Sequence, residues 1–298
     1  MIVTIGSINI DLTANVPRLP APGETIQGTA FATAPGGKGA NQALAARRAG
    51  ADVAMVGAVG KDAFAGGALA LLKAGGVDLT RVKETSAPTG TAVIMVSGDG
   101  ENVIAIISGA NMDVTNDQFG DLPFAKGDVI LLQLEIGFDT VTAAIAKARA
   151  YGALSVLNIA PFNSAGVAMM ADADITIANE TEFDQAATAM ALSGAALQEK
   201  MQDFVSRTRR TIIVTLGGDG VAAATPADFH QVPALKVTPV DTVGAGDTFC
   251  GYLGAALHAG LALPDAMRLA AAAGSLACTK PGAQPAIPTL AEVRGALG

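Results

Sequence analysis

The sequence predicts an α/β protein of three layers, α/β/α, in which a mainly parallel sheet lies between two layers of helices and a small separate β-sheet lies beside them. Short apolar runs rich in β-branched residues recur along the 298 residues, at 2–5, 53–59, 129–134, 154–157, 175–177 and 212–216. Segments of helical period separate most of these runs, at 41–49, 63–74, 140–150 and 195–209. Apolar strands that alternate with helices are typical of a parallel sheet covered by helices on both faces.

Glycines mark the ends of three predicted helices, because Gly50, Gly75 and Gly152 each follow the last residue of helical period. After residue 216 the pattern changes. Short apolar runs at 221–224, 229–232 and 235–240 predict an antiparallel edge to the sheet. Apolar helices predicted near 246–259, 265–279 and 289–297 then close the chain.

Two regions, 11–34 and 88–108, interrupt the alternation of strands and helices. They contain strand-like pieces at 25–34, 91–97 and 102–108, and Gly98-Asp99-Gly100 predicts a hairpin turn between the last two. A sheet that lacks covering helices must bury its apolar face on a ligand cleft or another subunit. We therefore expect one domain spanning 1–298 with a β lid that supports a homodimer. The lid residues expected to face the ligand are Ala92, Ile94, Ile104 and Ile106.

The composition bounds the possible partners. Half of the residues are hydrophobic and 15% are charged, so the chain can bury a sizeable core. The net charge of −8 argues against nucleic acid or an anionic membrane as the main ligand. The first residues carry no signal-peptide pattern, and we expect a cytoplasmic protein. Cys250 and Cys278 are expected to be buried thiols of a reducing compartment, and the two cysteines and two histidines cannot form a metal site at these spacings.

Segment 240–249 carries the most chemistry. A small-residue turn follows a strand predicted to end near its first residue and leads into a helix near Gly246. The glycines of this turn permit positive φ angles and leave several free amides at a helix N-terminus, which would form an anion site suited to a transferring phosphoryl group. Asp247 then has two interpretations, as a charge at the helix terminus or as a base that takes a proton from a hydroxyl. Spacing alone does not choose between them.

A second glycine turn, at residues 34–42, opens another helix. It is not a Walker phosphate loop, because no glycine stands five residues before Gly37-Lys38 and the Lys-Ser/Thr ending is absent. One interpretation is a plain turn into a capped helix. The other is that Lys38 and Asn41 bind ligand hydroxyls at the mouth of the parallel sheet.

Polar residues also follow other predicted strands. Asn9 and Asp11 alternate with isoleucines and share one face, and Glu135 ends the strand at 129–134. Each has an ordinary interpretation as a turn or strand-end residue. Segment 179–182 could orient magnesium and water, whereas the glycine turn at 215–220 fits either a nucleotide site or a simple hairpin.

Taken together and in order, these segments resemble the ribokinase-like (PfkB-type) carbohydrate kinases. The resemblance runs from Gly6 to about Pro288. Its most specific motifs are Gly6-Ser-Ile-Asn-Ile-Asp11, Gly36-Gly-Lys-Gly-Ala-Asn-Gln42 and Asp241–Phe249, with weaker ones at 100–104, 132–135, 179–182 and 282–285.

The resemblance implies a role for each matching residue. Asp247 would deprotonate the terminal hydroxyl of a sugar, and the amides of residues 244–246 would form the anion hole. The residues implied in holding the sugar hydroxyls are Asn9, Asp11, Gly37, Lys38, Asn41 and Glu135. The residues implied in binding ATP are Asn179, Thr215, Leu216, Gly217, Gly218, Asp219, Gly220 and Gly246.

Two cations follow from the same resemblance. Glu182 would help to organise Mg²⁺ through water. The residues that match the ligand positions of a potassium ion are Asp241, Val243, Ala277, Lys280 and Gly282. The chain departs from the family at Ala286, where a serine often reaches the cation, and at Ala270, where Asn or His usually borders the adenine. A weaker cation dependence or a looser nucleotide site is expected from these departures, with the activity retained.

The implied activity is Mg²⁺-dependent phosphoryl transfer from ATP to the 5-hydroxyl of D-ribose. A related kinase for another sugar or a nucleoside shares much of the polar set and stays open. A non-catalytic sensor on the same scaffold would not need Asp247. A dinucleotide-dependent dehydrogenase would require Gly-x-Gly-x-x-Gly after the first strand, which Gly6-Ser-Ile-Asn-Ile-Asp11 lacks.

Overall fold

The computed structural model describes residues 1–298, whose strands and helices are numbered here in chain order. The strands are β1 Ile2–Ile5, β2 Asn9–Val16, β3 Ala30–Gly36, β4 Val53–Gly60, β5 Asp78–Thr85, β6 Gly90–Ser97, β7 Asn102–Ile107, β8 Val129–Gln133, β9 Leu154–Asn158, β10 Ile175–Asn179, β11 Thr211–Thr215, β12 Val221–Ala224 and β13 Phe229–Val232. The helices are α1 Lys38–Arg48, α2 Ala65–Ala74, α3 Phe138–Tyr151, α4 Val167–Met170, α5 Glu180–Ala189, α6 Leu197–Thr208, α7 Ala245–His258, α8 Leu263–Ala277 and α9 Leu290–Leu297.

The large sheet has nine strands in the order β13-β12-β11-β10-β9-β8-β1-β4-β5. The seven strands from β11 to β5 are parallel, and β12 and β13 run antiparallel at one edge. Strand β1 lies between β4 and β8, so the direction of chain winding reverses there. In sheets of this kind, ligands bind outside the carboxyl ends of the strands at the point of reversal.

Two apolar cores cover the two faces of this sheet. Within β8, Val129 and Leu131 pack into the core that contains helices α1, α2, α7, α8 and α9. The alternate residues Ile130 and Leu132 pack into the core that contains helices α3, α4, α5 and α6. Because successive side chains of a strand point to opposite faces, continuous apolar strands need helices on both sides. The predicted three-layer α/β/α class is therefore confirmed.

The second sheet has four strands in the order β3-β2-β6-β7. Strands β6 and β7 form the predicted hairpin, with Gly100 at φ 90° in the turn. Asp11 of β2 pairs with Ala92 of β6, which pairs in turn with Ile106 of β7. Paired residues share a face of a sheet, so one face carries both the predicted polar sugar ligands and the apolar residues of the hairpin.

The structure corrects several predicted elements. Segment 235–240 is not a strand; instead, the amides of Val240 and Asp241 both donate to the carbonyl of Cys278, at 2.7 and 3.2 Å. Strand β3 begins at Ala30, so the strand predicted from residue 25 is shorter. The sequence also missed strand β5, whose polar composition is typical of an exposed edge, and helix α5. None of the helices in the described chain is long and apolar enough to cross a membrane.

Candidate active site

The predicted site residues converge at the carboxyl edge of the parallel strands. One cavity is bounded by Lys38, Asn179, Glu182, Gly246 and Asp247. A second cavity lies on the side of the small sheet, and the residues that line it include Asn9, Ile106, Ser108, Asn111, Glu135 and Phe138. Glu135 follows β8 and Asn179 ends β10, so these parallel strands bring the two residues to one edge of the sheet.

Asp247 lies in the first turn of α7 and is only 6% exposed. Its Oδ2 accepts a hydrogen bond from Asn41 Nδ2 at 2.9 Å, and its Oδ1 accepts one from Gln42 Nε2 at 3.0 Å. No side chain caps the N-terminus of α7. The Asp247 carboxylate instead contacts Asn41 and Gln42 of α1, and Asp247 lines the first cavity. A buried carboxylate held in this position beside a helix N-terminus is compatible with a base next to an anion site.

The turn before α7 depends on Gly244, which has φ 75°. A Cβ atom there would lie 2.8 Å from the Cβ of Ala283, so the position combines a left-handed backbone with a close contact. The amide of Ala245 donates to Thr242 O at 3.3 Å, whereas those of Gly244 and Gly246 have no backbone partner. The two glycine amides are thus available to an anion at the helix N-terminus.

The second glycine turn lets α1 start directly against the segment after β1. Gly37 has φ 89°, and a Cβ there would lie 2.7 Å from the amide nitrogen of Asn9. The amide of Lys38 donates to Glu135 Oε2 at 3.1 Å, and the Ser7 hydroxyl donates to the same oxygen. Glu135 Oε1 stays available for a ligand hydroxyl.

Charges around the cavity are strongly coupled. Burial lowers the pKa of Lys38, but the carboxylates of Asp247, Glu135 and Glu182 more than offset this and raise it above its usual value. Lys38 is therefore a cation at neutral pH, surrounded by acidic groups. Burial, helped by the negative charges of Glu135 and Asp247 and opposed by Lys38, raises the pKa of Asp11 to about 6.

Asn179 and Glu182 form a capping box at the start of α5. Asn179 Oδ1 accepts from the amide of Glu182 at 2.8 Å, and Glu182 Oε2 accepts from the amide of Asn179 at 2.9 Å. Both residues still border the cavity that contains Asp247. The box fixes the orientation of the Glu182 carboxylate and leaves its Oε1 free.

A third cavity runs along the turn after β11 and the face of α8. Five of the predicted nucleotide residues line it, namely Thr215, Gly217, Gly218, Gly220 and Gly246, whereas Asn179, Leu216 and Asp219 do not. The prediction that Ala270 borders the nucleotide is wrong, because Ala270 is fully buried in the core. Ala271 and Ser275 form that wall instead, one turn apart on α8, and Ser275 supplies a hydroxyl there.

Asp241 joins the two loops that carry the predicted potassium ligands. Its Oδ1 accepts from the amide of Val243 at 3.0 Å, and its Oδ2 accepts from the amide of Gly282 at 2.7 Å. Ala277 ends α8 beside the same loops, and the side chain of Lys280 pairs with Glu292. Ala286 is buried and offers no hydroxyl to this region.

Both cysteines are free thiols. Cys250 is buried on α7, and burial raises its pKa well above the usual value, with Asp247 adding to the shift. Cys278 is only half-buried, which differs from the predicted full burial, and it lines the cavity along α8.

Sequence reasoning missed four polar residues that hold the predicted ones in place. Asn111 is buried; its Oδ1 accepts from the amide of Ile8 at 2.9 Å, and its Nδ2 donates to Asn9 Oδ1 at 2.7 Å. The other three lie inside recognised motifs without an assigned role, namely Ser7, Gln42 and Gln133. The positions of these three residues in the motifs could have marked them as site residues. Asn111 follows the second lid region, outside every motif, and no sequence signal marks it.

Comparisons with known proteins agree on the family. A family model described as pfkB family carbohydrate kinase matches residues 1–290. A ribokinase from Lactococcus lactis subsp. lactis is 39% identical over 297 residues, which cover 98% of this chain and 95% of that protein. A ribokinase structure from Thermotoga maritima has a TM-score of 0.92 at 29% identity and covers 99% of this chain and 98% of that one.

A structure of Arabidopsis thaliana ribokinase complexed with ribose and ATP has a TM-score of 0.88 at 30% identity, covering 99% of this chain and 98% of that one. Family model, relative and structures extend over nearly the whole chain, so the match does not depend on short motifs alone. The chain therefore belongs to the pfkB family of carbohydrate kinases and is a phosphotransferase whose acceptor is an alcohol group.

Proposed function

We propose that this chain transfers the γ-phosphoryl group of ATP to the 5-hydroxyl of D-ribose, giving ribose 5-phosphate and ADP. The observation that carries the proposal is the buried carboxylate of Asp247 between the sugar-side residues of α1 and the free amides of Gly244 and Gly246. The similarity to ribokinases, including one complexed with ribose and ATP, supports this choice of sugar and nucleotide.

In the proposed reaction, Asp247 removes the proton of the 5-hydroxyl group while the oxygen of that hydroxyl forms a bond to the γ-phosphorus of ATP. The bond from that phosphorus to the β,γ-bridging oxygen breaks, and ADP leaves. The amides of Gly244 and Gly246 and the Lys38 ammonium stabilise the negative charge on the transferring group. The donors and acceptors of Asn9, Asp11, Lys38, Asn41 and Glu135 would hold the other hydroxyls.

The residues present fit the two proposed cations. Carboxylate oxygens suit Mg²⁺, and the capping box at Asn179 uses Oε2 of Glu182 while the residue lines the cavity that contains Asp247. Bound there through water, Mg²⁺ would neutralise phosphate charge. Asp241 holds loops 241–243 and 277–282 together, which favours a K⁺ site built largely from their backbone carbonyls.

The experiment that tests the function is an ADP-release assay with Mg²⁺-ATP and a panel of acceptors. Its members are D-ribose, 2-deoxy-D-ribose, D-fructose, D-glucose, adenosine and sugar phosphates. Highest kcat/KM with D-ribose, and a product identified as the 5-phosphate, is the expected result. Turnover with another acceptor but none with ribose would reject the sugar and retain the kinase. Binding of sugar and ATP without turnover of any acceptor would favour a sensor.

Potassium should stimulate the reaction. A monovalent cation beside Asp241 would order the peptide groups whose amides face the phosphate, so kcat should rise when KCl replaces choline chloride in sodium-free buffer. Because Ala286 supplies no hydroxyl, we expect stimulation of about threefold to tenfold, equivalent to about 1 kcal/mol. Equal rates with and without potassium would contradict the cation site.

The sugar affinity should depend on pH through Asp11. Its pKa of about 6 means that the carboxylate is protonated as pH falls through 6 and loses acceptor capacity for sugar hydroxyls. We expect KM for ribose to rise roughly tenfold between pH 7.5 and pH 5, because only the ionised fraction binds well. Steady-state titrations at fixed, saturating ATP measure this effect.

Asp11→Asn is the control for this prediction. Its KM should be high and nearly constant over the same pH range, whereas a wild-type KM independent of pH would contradict the assignment.

The raised pKa of Asp11 also determines how the stability of the folded state changes with pH. The folded state favours the protonated carboxyl, so the wild type loses stability as pH rises from about 4 to about 6, and Asp11→Asn should gain roughly 1–3 kcal/mol at pH 8.

We propose that the four-stranded sheet acts as the lid and that two chains associate through it. Its edge strand β7 is apolar and exposed, with Val103 at 49%, Ile104 at 51% and Ile107 at 46%. A contiguous exposed apolar strand favours association with a partner. Light scattering should give twice the chain mass for wild type and one chain mass for Val103→Lys/Ile107→Lys.

Leu261→Lys is the control for the dimer, because Leu261 is also an exposed apolar residue but lies between α7 and α8. It should remain dimeric. A wild-type chain that is monomeric at all micromolar concentrations would contradict the proposal. A dimer unaffected by both lysines would place the interface elsewhere.

A further inference from the structure

Two buried glutamines form a chain of hydrogen bonds behind Asp247. Gln42 Nε2 donates to Asp247 Oδ1 at 3.0 Å, and Gln133 Nε2 donates to Gln42 Oε1 at 2.7 Å. Gln42 is 1% exposed and Gln133 is fully buried. Neither side chain lines any of the three cavities of the candidate active site, so neither is a direct ligand.

The direction in which these hydrogen bonds are donated follows from the chemistry of the Asp247 carboxylate, which accepts the last of them. An ionised carboxylate only accepts hydrogen bonds, so Gln42 must turn its NH₂ group toward Asp247. Its carbonyl then faces Gln133, which must present an NH₂ group in turn. The chain is therefore polarised toward Asp247, and charge-assisted hydrogen bonds of this kind are stronger than neutral ones.

The packing around Gln133 shows that this arrangement is not optimised for stability. Gln133 Oε1 is buried without a hydrogen-bond partner. It occupies the space beside Gly6, where a Cβ atom would come within 1.9 Å of it. A buried polar atom without a partner destabilises the fold, and an apolar side chain of similar shape would avoid that cost. Position 133 is part of β8, whose other residues are all apolar.

We propose that Gln42 and Gln133 are positioning residues that orient the carboxylate of Asp247 for proton abstraction. This inference rests on the proposed role of Asp247 as the base. With Asn41 on one oxygen and Gln42 on the other, the plane of the carboxylate is fixed relative to α1, which also carries Lys38. Gln133 contributes through Gln42, because it fixes the rotation of that amide.

The test uses near-isosteric methionine variants and separates kcat from KM. Gln42→Met should lower kcat by about 10- to 100-fold, part of the range for general base catalysis. Gln133→Met should lower it by about 3- to 10-fold, since its effect passes through a second side chain. KM for ribose and for ATP should change by less than about threefold in both variants, because no substrate contact is removed.

A double-mutant cycle with Asp247→Asn distinguishes positioning from a general disturbance. In the Asp247→Asn background, Gln42→Met should change the residual kcat by less than about twofold, because the group that it positions is already absent. Equal fold losses in both backgrounds would overturn the proposal, since a structural disturbance acts whether or not the base is present. Wild-type kcat in Gln42→Met would overturn it too.

Gln118→Met is the matched control. This glutamine also donates through its Nε2, in its case to the carbonyls of Gly57 and Arg81, and lines none of the three cavities. Its kcat should match wild type, and thermal unfolding of all variants checks folding. If Asp247→Asn alone retains wild-type turnover, the proposed base fails. If Asp247→Asn is inactive while Gln42→Met is unaffected, only the positioning role fails.

Discussion

Replacing Asp247 by asparagine should lower kcat by about 10²- to 10⁴-fold, the usual contribution of a general base. The amide keeps the size of the carboxylate but cannot take the proton of the sugar hydroxyl. The sugar-side residues on β2 and after β8 are unchanged, so ribose binding should persist. Steady-state ADP release gives kcat, and isothermal titration with ribose gives the dissociation constant.

Asp265→Asn is the matched control for this variant. Asp265 lies in the first turn of α8, as Asp247 lies in the first turn of α7. If Asp247 were only a helix-terminal charge, both variants would lose about 0.3–1 kcal/mol of stability and keep their turnover. We expect that outcome for Asp265→Asn alone. Unchanged kcat in Asp247→Asn would reject its role as the base.

The fold class could be predicted because its signal is local. The continuous apolar run of β8 requires a helix layer on each face, and the two cores that its alternate residues enter have this arrangement. Strand β5 was not predicted because it lies at the sheet edge, where polar residues are tolerated and the apolar pattern of a strand is absent. The prediction of a strand at 235–240 was wrong because a short apolar run forms a strand only where a partner strand lies beside it, and the sequence of the run does not show this.

The candidate site could be predicted in outline but not in its connections. Asn41 and Asp247 stand 206 positions apart, and only the packing of α1 against α7 brings them within hydrogen-bonding distance. Likewise, the raised pKa of Asp11 arises from burial and from Glu135 and Asp247, which the sequence does not place near it. Long-range distances and desolvation are properties of the folded chain, so spacing could not supply them.

The predicted effect of Gly244→Ala tests the anion hole without touching any side chain that carries charge. A Cβ atom at position 244 would combine φ 75° with a 2.8 Å contact to the Cβ of Ala283. The turn must shift, and with it the free amides of Gly244 and Gly246. Loss of oxyanion-type donors costs about 10²- to 10³-fold in kcat. We expect this loss with ribose affinity retained, measured by the same two assays.

Gly260→Ala separates backbone strain from the steric contact. Gly260 has a similar φ of 83°, but a Cβ atom there meets nothing within 4 Å. That variant should lose about 1 kcal/mol of stability from the left-handed backbone alone and keep its kcat. Gly244→Ala should lose more stability, because the contact with Ala283 adds to the same strain. If both variants keep wild-type kcat, the amides of the 244–246 turn do not stabilise the transferring phosphoryl group, and the catalytic contribution must come from Lys38 and the cations.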